Sequence, residues 1–334
     1  MELTAGQTLK QGKYTIEGVL GQGRFAKTYL AKNLEGKRWV IKVLDEDVLA
    51  DLSDHERDRL KSLFLQEAIV LARCDGKSPY IVRIDTPFEH KGIPCLPLEY
   101  MGRTNLAERA QQILPEDVAL AYIRQIADAV KVLHQEKIAH RDIRPDNIFL
   151  RDRDGKVEAV LTDFGLAMEF DTELSRTRTQ ERIKGFSALE LFVSNQTVGS
   201  YTDVYSLAAT LYEMLTGETP VSADERKARG TPLMTPQQKN PEISARTSKA
   251  ILKGMELKPI DRPQTIEAWL QELGTTASKA SREKSPITPI HWEKWGVIWA
   301  AVAVILSLVF WVGDQILSRQ DPANPPAPTQ QNQP

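Results

Sequence analysis

The sequence predicts an α+β fold, strand-rich towards the N-terminus and helical beyond residue 115. Strand-like alternation recurs between residues 14 and 101, apolar runs at helical spacing fill 119–133 and 202–217, and a polar segment at 138–150 interrupts the helical part. A chain of 334 residues is long enough for one large two-part domain with appendages. A net charge of −2 with 26% charged residues offers no basic field for nucleic acid and no acidic tail, which sets nucleic-acid binding aside. Cys74 and Cys95 lack metal-ligand spacing and form no disulfide framework, as suits packing residues in a reducing compartment. The start, Met1-Glu2-Leu3-Thr4-Ala5, has no basic region followed by an apolar run, so no cleaved signal peptide is expected.

The chemistry concentrates in the polar segment. His140-Arg141-Asp142-Ile143-Arg144-Pro145-Asp146-Asn147 supplies a carboxylate, a cation two residues on and an amide five on, and Asp163-Phe164-Gly165 adds a second carboxylate across a hairpin turned at Asp154-Gly155. Phosphoryl transfer needs these types: a group to orient the attacking hydroxyl, oxygen ligands for a hard cation, and positive charge beside the moving phosphoryl group. Together the stretches resemble the H-R-D-x-x-x-x-N catalytic loop and D-F-G motif of the protein kinases. The resemblance implies a two-lobed protein-kinase fold with a small β-rich lobe and a large helical lobe. It also implies ATP and Mg2+ as cofactors and proteins as substrates. By the same resemblance Asp142 accepts the hydroxyl proton, Arg144 meets the phosphate, Asn147 and Asp163 hold metal, and Phe149 contacts the nucleotide.

In chain order, residues 14–20 alternate as a strand, and Gly21-Gln22-Gly23-Arg24-Phe25-Ala26-Lys27-Thr28 makes a glycine turn into a second. Glycine there lets backbone N–H groups approach phosphate oxygens without a Cβ in the way. The turn resembles G-x-G-x-x-G-x-V, with Ala26 for the third glycine and Thr28 for the valine, implying nucleotide contacts from Leu20, Gly21, Gly23 and Thr28. Trp39-Val40-Ile41-Lys42 ends a third strand and resembles V-A-I-K, which implies Lys42 on the α/β-phosphates and Val40 in the nucleotide site. Residues 62–71 read as a helix with apolar positions at Leu63, Phe64, Ile69, Val70 and Leu71, and Glu67 stands where the resemblance implies an ion-pair partner for Lys42. Residues 78–84 and 96–102 read as the fourth and fifth strands and the hinge, with Leu98 implied as gatekeeper and Glu99 and Met101 as adenine contacts. Pro97 removes a donor from a strand expected to be paired, and so reads as an edge or bulge position.

Beyond Pro115, a residue suited to a first helical turn, Ile123, Ile126, Ala127, Val130 and Leu133 fall on one face of a long amphipathic helix. Residues 202–217 are mostly apolar all round, as a buried central helix requires. They resemble the kinase F helix, implying that Asp203 holds the catalytic-loop backbone. Ala188-Leu189-Glu190 resembles A-P-E, and Asp261-Arg262-Pro263 the segment that supplies its arginine, implying a buried Arg262–Glu190 pair. The resemblance covers residues 14–273, divided into a small lobe at 14–98 and a large lobe at 102–273, with 1–13 as an N-terminal extension.

Residues 274–294, rich in Ser, Thr, Lys and Pro, read as a juxtamembrane linker. Residues 295–313 carry no charge between Lys294 and Asp314, and nineteen residues rising about 1.5 Å each give roughly 28 Å, near the hydrocarbon thickness. Ten of them are Val, Ile, Leu or Phe, worth about −3 to −6 kcal/mol on an insertion scale, and Trp292, Trp295 and Trp311 sit where interface anchors belong. Lys279, Arg282, Lys284 and Lys294 precede this span and Arg319 follows it, so the positive-inside rule places the N-terminal domain in the cytoplasm at the cell membrane. The Pro-, Gln- and Asn-rich tail at 314–334 is expected to be disordered and extracytoplasmic, and too short to fold as a sensor.

The reading is a single-pass, membrane-anchored enzyme resembling bacterial Ser/Thr kinases, because Arg144 and Asp146 match the Ser/Thr form of the loop. A binding or scaffolding pseudokinase is the alternative. Ala26, Leu189, and Arg182-Ile183-Lys184-Gly185 where active Ser/Thr kinases carry Gly-Thr favour it; Lys42, Glu67, Asp142, Asn147 and Asp163 oppose it. Arg141 before Asp142 implies control by phosphate on the following segment, with Thr172, Ser175, Thr177 and Thr179 as acceptors beside the basic Arg176, Arg178, Arg182 and Lys184. A dimer that phosphorylates itself in trans fits the same reading.

Overall fold

The computed structural model describes residues 2–23, 25–165, 168–169, 185–193 and 196–274. The expected phosphate acceptors, residues 182–184, the linker beyond Gly274, the 295–313 span and the tail lie outside them. Among the described residues no helix is long and apolar enough to cross a membrane.

Six strands, β1 (Thr8–Leu9), β2 (Tyr14–Gln22), β3 (Ala26–Asn33), β4 (Arg38–Leu44), β5 (Phe88–His90) and β6 (Ile93–Glu99), form one antiparallel sheet in the order β1-β2-β3-β4-β6-β5. One expectation needs correction. Residues 78–84 are not a strand; they meet the sheet through an isolated Ile84↔Leu98 bridge and the large lobe through Ile81↔Leu161. Ile81, Val82 and Ile84 are apolar because they are buried in the core, so their spacing carries no sheet pairing. The neighbour of β6 is instead β5, three residues too short to show a period. The 1–13 extension packs onto the small lobe: β1 pairs with β2, and Leu3 and Leu9 are buried.

Pro97 sits at a local edge, as expected: β5 pairs with β6 only over Ile93–Cys95, so at Pro97 the side of β6 away from β4 carries no ladder strand. The Pro97 carbonyl accepts from Asp85 N and the neighbouring Glu99 N donates to Arg83 O, each at 2.8 Å. A strand residue points its N–H and C=O to the same side, so the donor Pro97 lacks would face the 83–85 segment, and the β4 ladder loses no bond.

After β4 come α1 (Glu46–Ala50) and α2 (Asp54–Cys74). The second begins before the expected 62–71 because Ser53 and Glu56 form a capping box ahead of a charged, aperiodic first turn. The large lobe contains α3 (Glu116–Gln135), β7 (Ile138–Ala139), β8 (Ile148–Arg153), β9 (Lys156–Leu161), β10 (Met168–Glu169), α4 (Ser200–Thr216), α5 (Ala223–Arg229), α6 (Pro236–Lys239), α7 (Ala245–Gly254) and α8 (Ile266–Leu273). Every residue of α4 from Thr202 to Thr216 is buried, as its all-round apolarity requires, and the helix packs against α3, α7 and α8. It ends at Gly217, whose φ of 70° suits glycine. One hydrophobic core runs from Leu3 in the small lobe to Leu273 in the large.

Candidate active site

The catalytic segment leaves α3 through β7 and is clamped from below by α4. Asp203, in the first turn of α4 and fully buried, accepts from His140 N and Arg141 N at 2.9 Å each and meets His134 Nε2 at 2.7 Å. Burial pushes the Asp203 carboxyl up, but the His134 contact and the backbone amides outweigh it and hold it below the usual carboxylate range. Two amide bonds are needed here because Arg141 stands at φ 71°, a left-handed conformation costly for a residue with a Cβ. The buried His140 ring meets Phe164 edge-on at 4.9 Å, and burial holds its imidazole below its usual value.

This clamp presents Asp142 and Asn147. The Asn147 amide nitrogen donates to both the Asp142 carbonyl, at 2.8 Å, and its Oδ2, at 2.7 Å, while Arg144 Nε lies 3.4 Å from Asp142 Oδ1. Arg144 also pairs with Asp146 at 2.7 Å. Asn147 closes a one-turn 3-10 helix, Pro145–Asn147, and its carbonyl accepts from Thr162 N at 2.9 Å and Thr162 Oγ1 at 3.1 Å. The β8–β9 hairpin, turned at Asp154-Gly155 with both φ values positive, thus returns the chain so that Asp163 follows directly on a residue tied to Asn147.

Lys42 joins the lobes. From β4 its Nζ reaches Glu67 Oε2 on α2 at 2.7 Å and Asp163 Oδ1 at 3.0 Å. Burial pulls the Lys42 ammonium down, but the Asp163 and Glu67 charges more than reverse this and keep it protonated; in return Lys42 holds the Asp163 carboxyl below its ordinary value. Asp163 itself sits at φ 57°, a strained setting that aims its carboxylate back at Lys42 while Phe164 is buried.

The remaining expected residues line up on the sheet. Cross-strand register puts Thr28 opposite Lys42, Leu30 opposite Val40 and Val40 opposite Leu98, so Thr28, Val40, Lys42 and Leu98 share one face. Thr28 Oγ1 donates to Gly21 O at 3.1 Å, which satisfies the hydroxyl where a valine was expected. Gly23 N donates to Ala26 O at 2.8 Å, and a Cβ on Gly23 would stand 3.3 Å from that oxygen. Leu20 is half-buried near the end of β2, Met101 is half-buried past β6, and Phe149 on β8 bridges to Asn105. The Glu99 side chain turns to Arg151, 3.3 Å away.

A family model described as the protein kinase domain matches residues 14–273. The chain belongs to the protein kinase family. It is 31% identical over 286 residues to serine/threonine-protein kinase AtPK1/AtPK6 of Arabidopsis thaliana, an overlap that covers 84% of this chain and 57% of that protein. It is 29% identical over 272 residues to serine/threonine-protein kinase PknJ of Mycobacterium tuberculosis, covering 78% and 44%. Thus the chain spans only about half the length of the curated relatives it matches. Among solved structures, the apo form of PpkA-294 superposes with a TM-score of 0.66 at 26% identity, covering 81% of this chain and 99% of that one. A double mutant of the Mycobacterium tuberculosis PknI kinase domain superposes at 0.62 and 23% identity, covering 82% and 98%, a likeness of fold.

The kinase family uses ATP with a divalent metal, and the donor set here suits a hard cation. With the Asn147 amide nitrogen committed to Asp142, its oxygen is left to face a ligand, and the Asp163 side chain is 48% exposed. An amide oxygen and a carboxylate fit Mg2+, which takes few protein ligands and completes its shell from phosphate and water. Three kinase residues escaped sequence reasoning. His134 lies six positions before His140, Arg151 four beyond Asn147 and Asp45 three beyond Lys42. Arg151 is buried among Glu99, Glu158 and Pro79 O, contacts made with the hinge, β9 and the 78–84 segment that no local spacing reveals.

Proposed function

We propose that this kinase-family chain transfers the γ-phosphoryl group of ATP, with Mg2+, to serine or threonine hydroxyls of proteins. The observation that supports this best is the simultaneous Glu67–Lys42–Asp163 contact and Asp142–Asn147 bond, which gathers phosphate, metal and hydroxyl ligands at one place. In this reading Lys42, held by Glu67, pairs with the α/β-phosphates. Asp142 orients the attacking hydroxyl and takes its proton as the new O–P bond forms and the bond to the β–γ bridging oxygen breaks. Arg144 offers charge to the moving group. Asn147 and Asp163 would hold Mg2+, which offsets charge on the phosphate oxygens. Leu20, Gly21, Gly23, Thr28, Val40, Leu98, Glu99, Met101 and Phe149 are the nucleotide contacts. The Ser/Thr assignment draws on Arg144 and Asp146 and on the names of the relatives.

A pseudokinase would keep nucleotide binding without transfer. The closed Lys42–Glu67 pair speaks for the active reading, and the Leu189 departure leaves Glu190 still paired with Arg262. Phosphate moved from ATP to a protein hydroxyl by the purified chain decides between them.

The proposal extends to organisation: a kinase domain at 14–273, a linker at 274–294, a single span at 295–313, an extracytoplasmic tail at 314–334, and dimers that act in trans. Four cations before the span and one after support a cytoplasmic kinase domain. Protease added to intact cells is expected to trim a C-terminal tag and spare an N-terminal one; loss of the N-terminal tag alone would reverse the topology.

A further inference from the structure

We propose that Asp45 is a positioning residue that latches the glycine-rich loop to the strand carrying Lys42. The inference rests on the reading above that this loop covers the phosphates of ATP. Asp45 follows β4 directly and is 3% exposed. It grips the loop at three points. Its Oδ2 accepts from Gln22 Nε2 at 3.0 Å, its Oδ1 lies 3.1 Å from Lys27 Nζ, and its own N–H donates to Phe25 O at 2.8 Å. Gln22 ends β2, Lys27 lies in β3 and Phe25 lies between them, so each flank and the turn itself are held by one side chain and its amide.

A merely structural role for Asp45 is available, because its Oδ1 also accepts from Asp47 N at 3.2 Å and caps α1. That role accounts for neither the second oxygen nor the contacts to Gln22 and Lys27. Lys27 also reaches Asp47 at 3.4 Å, but Asp47 is largely exposed and adds little there. The exposed Gln22 spends its amide on the Asp45 carboxylate. A loop held this way has less freedom to lose when nucleotide binds, which appears as affinity.

The test uses the full chain, with steady-state kinetics in ATP and amide hydrogen exchange of the nucleotide-free protein. Gln22→Ala is expected to raise KM for ATP about three- to tenfold with a smaller change in kcat, and to speed exchange at Gln22, Phe25 and Lys27. Gln22→Glu, which sets carboxylate against carboxylate, should raise KM further. Adding Asp45→Asn to Gln22→Glu restores a donor facing an acceptor and should return both readouts towards wild type, a rescue that loss of a helix cap would not give. Gln22→Ala with KM and loop exchange unchanged overturns the latch, as does a double variant worse than either single. If the wild type itself moves no phosphate, the kinase reading fails, and the exchange measurement still decides the latch.

Discussion

Asp142→Asn is expected to lower phosphoryl transfer by about 10²- to 10⁴-fold while leaving the melting temperature and ATP affinity close to wild type. The substitution keeps an oxygen for the Asn147 amide, which bonds Asp142 Oδ2 at 2.7 Å, and leaves the 2.8 Å bond to the main-chain carbonyl. It removes the charge that would take the hydroxyl proton. The Lys42–Asp163 pair, around which the proposed nucleotide contacts are centred, is untouched. Activity within a few-fold of wild type would mean that another group orients the hydroxyl; lost ATP binding would mean that the Asp142–Asn147 bond holds the metal ligands as well.

Arg262→Ala should be the most damaging single change to stability outside the site. Arg262 makes two parallel bonds to Glu190, at 2.7 and 2.9 Å, with both side chains at most 1% exposed. It also donates to the carbonyls of Glu256, Leu257 and Tyr201. Truncation leaves a buried carboxylate without its cation, a loss of about 3–5 kcal/mol, which for a domain of this size lowers the melting temperature by of order 10 °C. Glu190 keeps the Thr202 hydroxyl at 2.8 Å, too weak a partner to replace a guanidinium. A shift of under about 2 °C by calorimetry would show that water reaches Glu190 and that the pair does not anchor the end of the segment.

What was legible in the sequence follows from how each residue acts. Asp142, Arg144 and Asn147 lie within one short segment, so type and spacing suffice to pick them out, and Asp163 follows across a hairpin that Asp154-Gly155 announces. Lys42 and Glu67 were found only through their order along the chain, because they meet across the fold. The buried helix α4 declared itself by apolarity on every side. Less legible were the parts whose cause is tertiary. The 78–84 segment carries strand-like residues but spends them on the core, while β1 and β5 are too short for any period. Asp45 and Arg151 look like ordinary charged residues until partners from other elements surround them. Pro97 could not be understood before it was known which side of β6 lacks a ladder partner.

The central claim, that the groups gathered around Lys42, Asp142, Asn147 and Asp163 perform phosphoryl transfer, is tested most directly with the purified full chain, ATP labelled at the γ-phosphate, Mg2+ and a generic protein substrate. Label recovered on serine and threonine, and abolished by omitting Mg2+, is the predicted result. Saturable ATP binding with no label on any protein side chain would contradict the account and leave a nucleotide-binding module in its place.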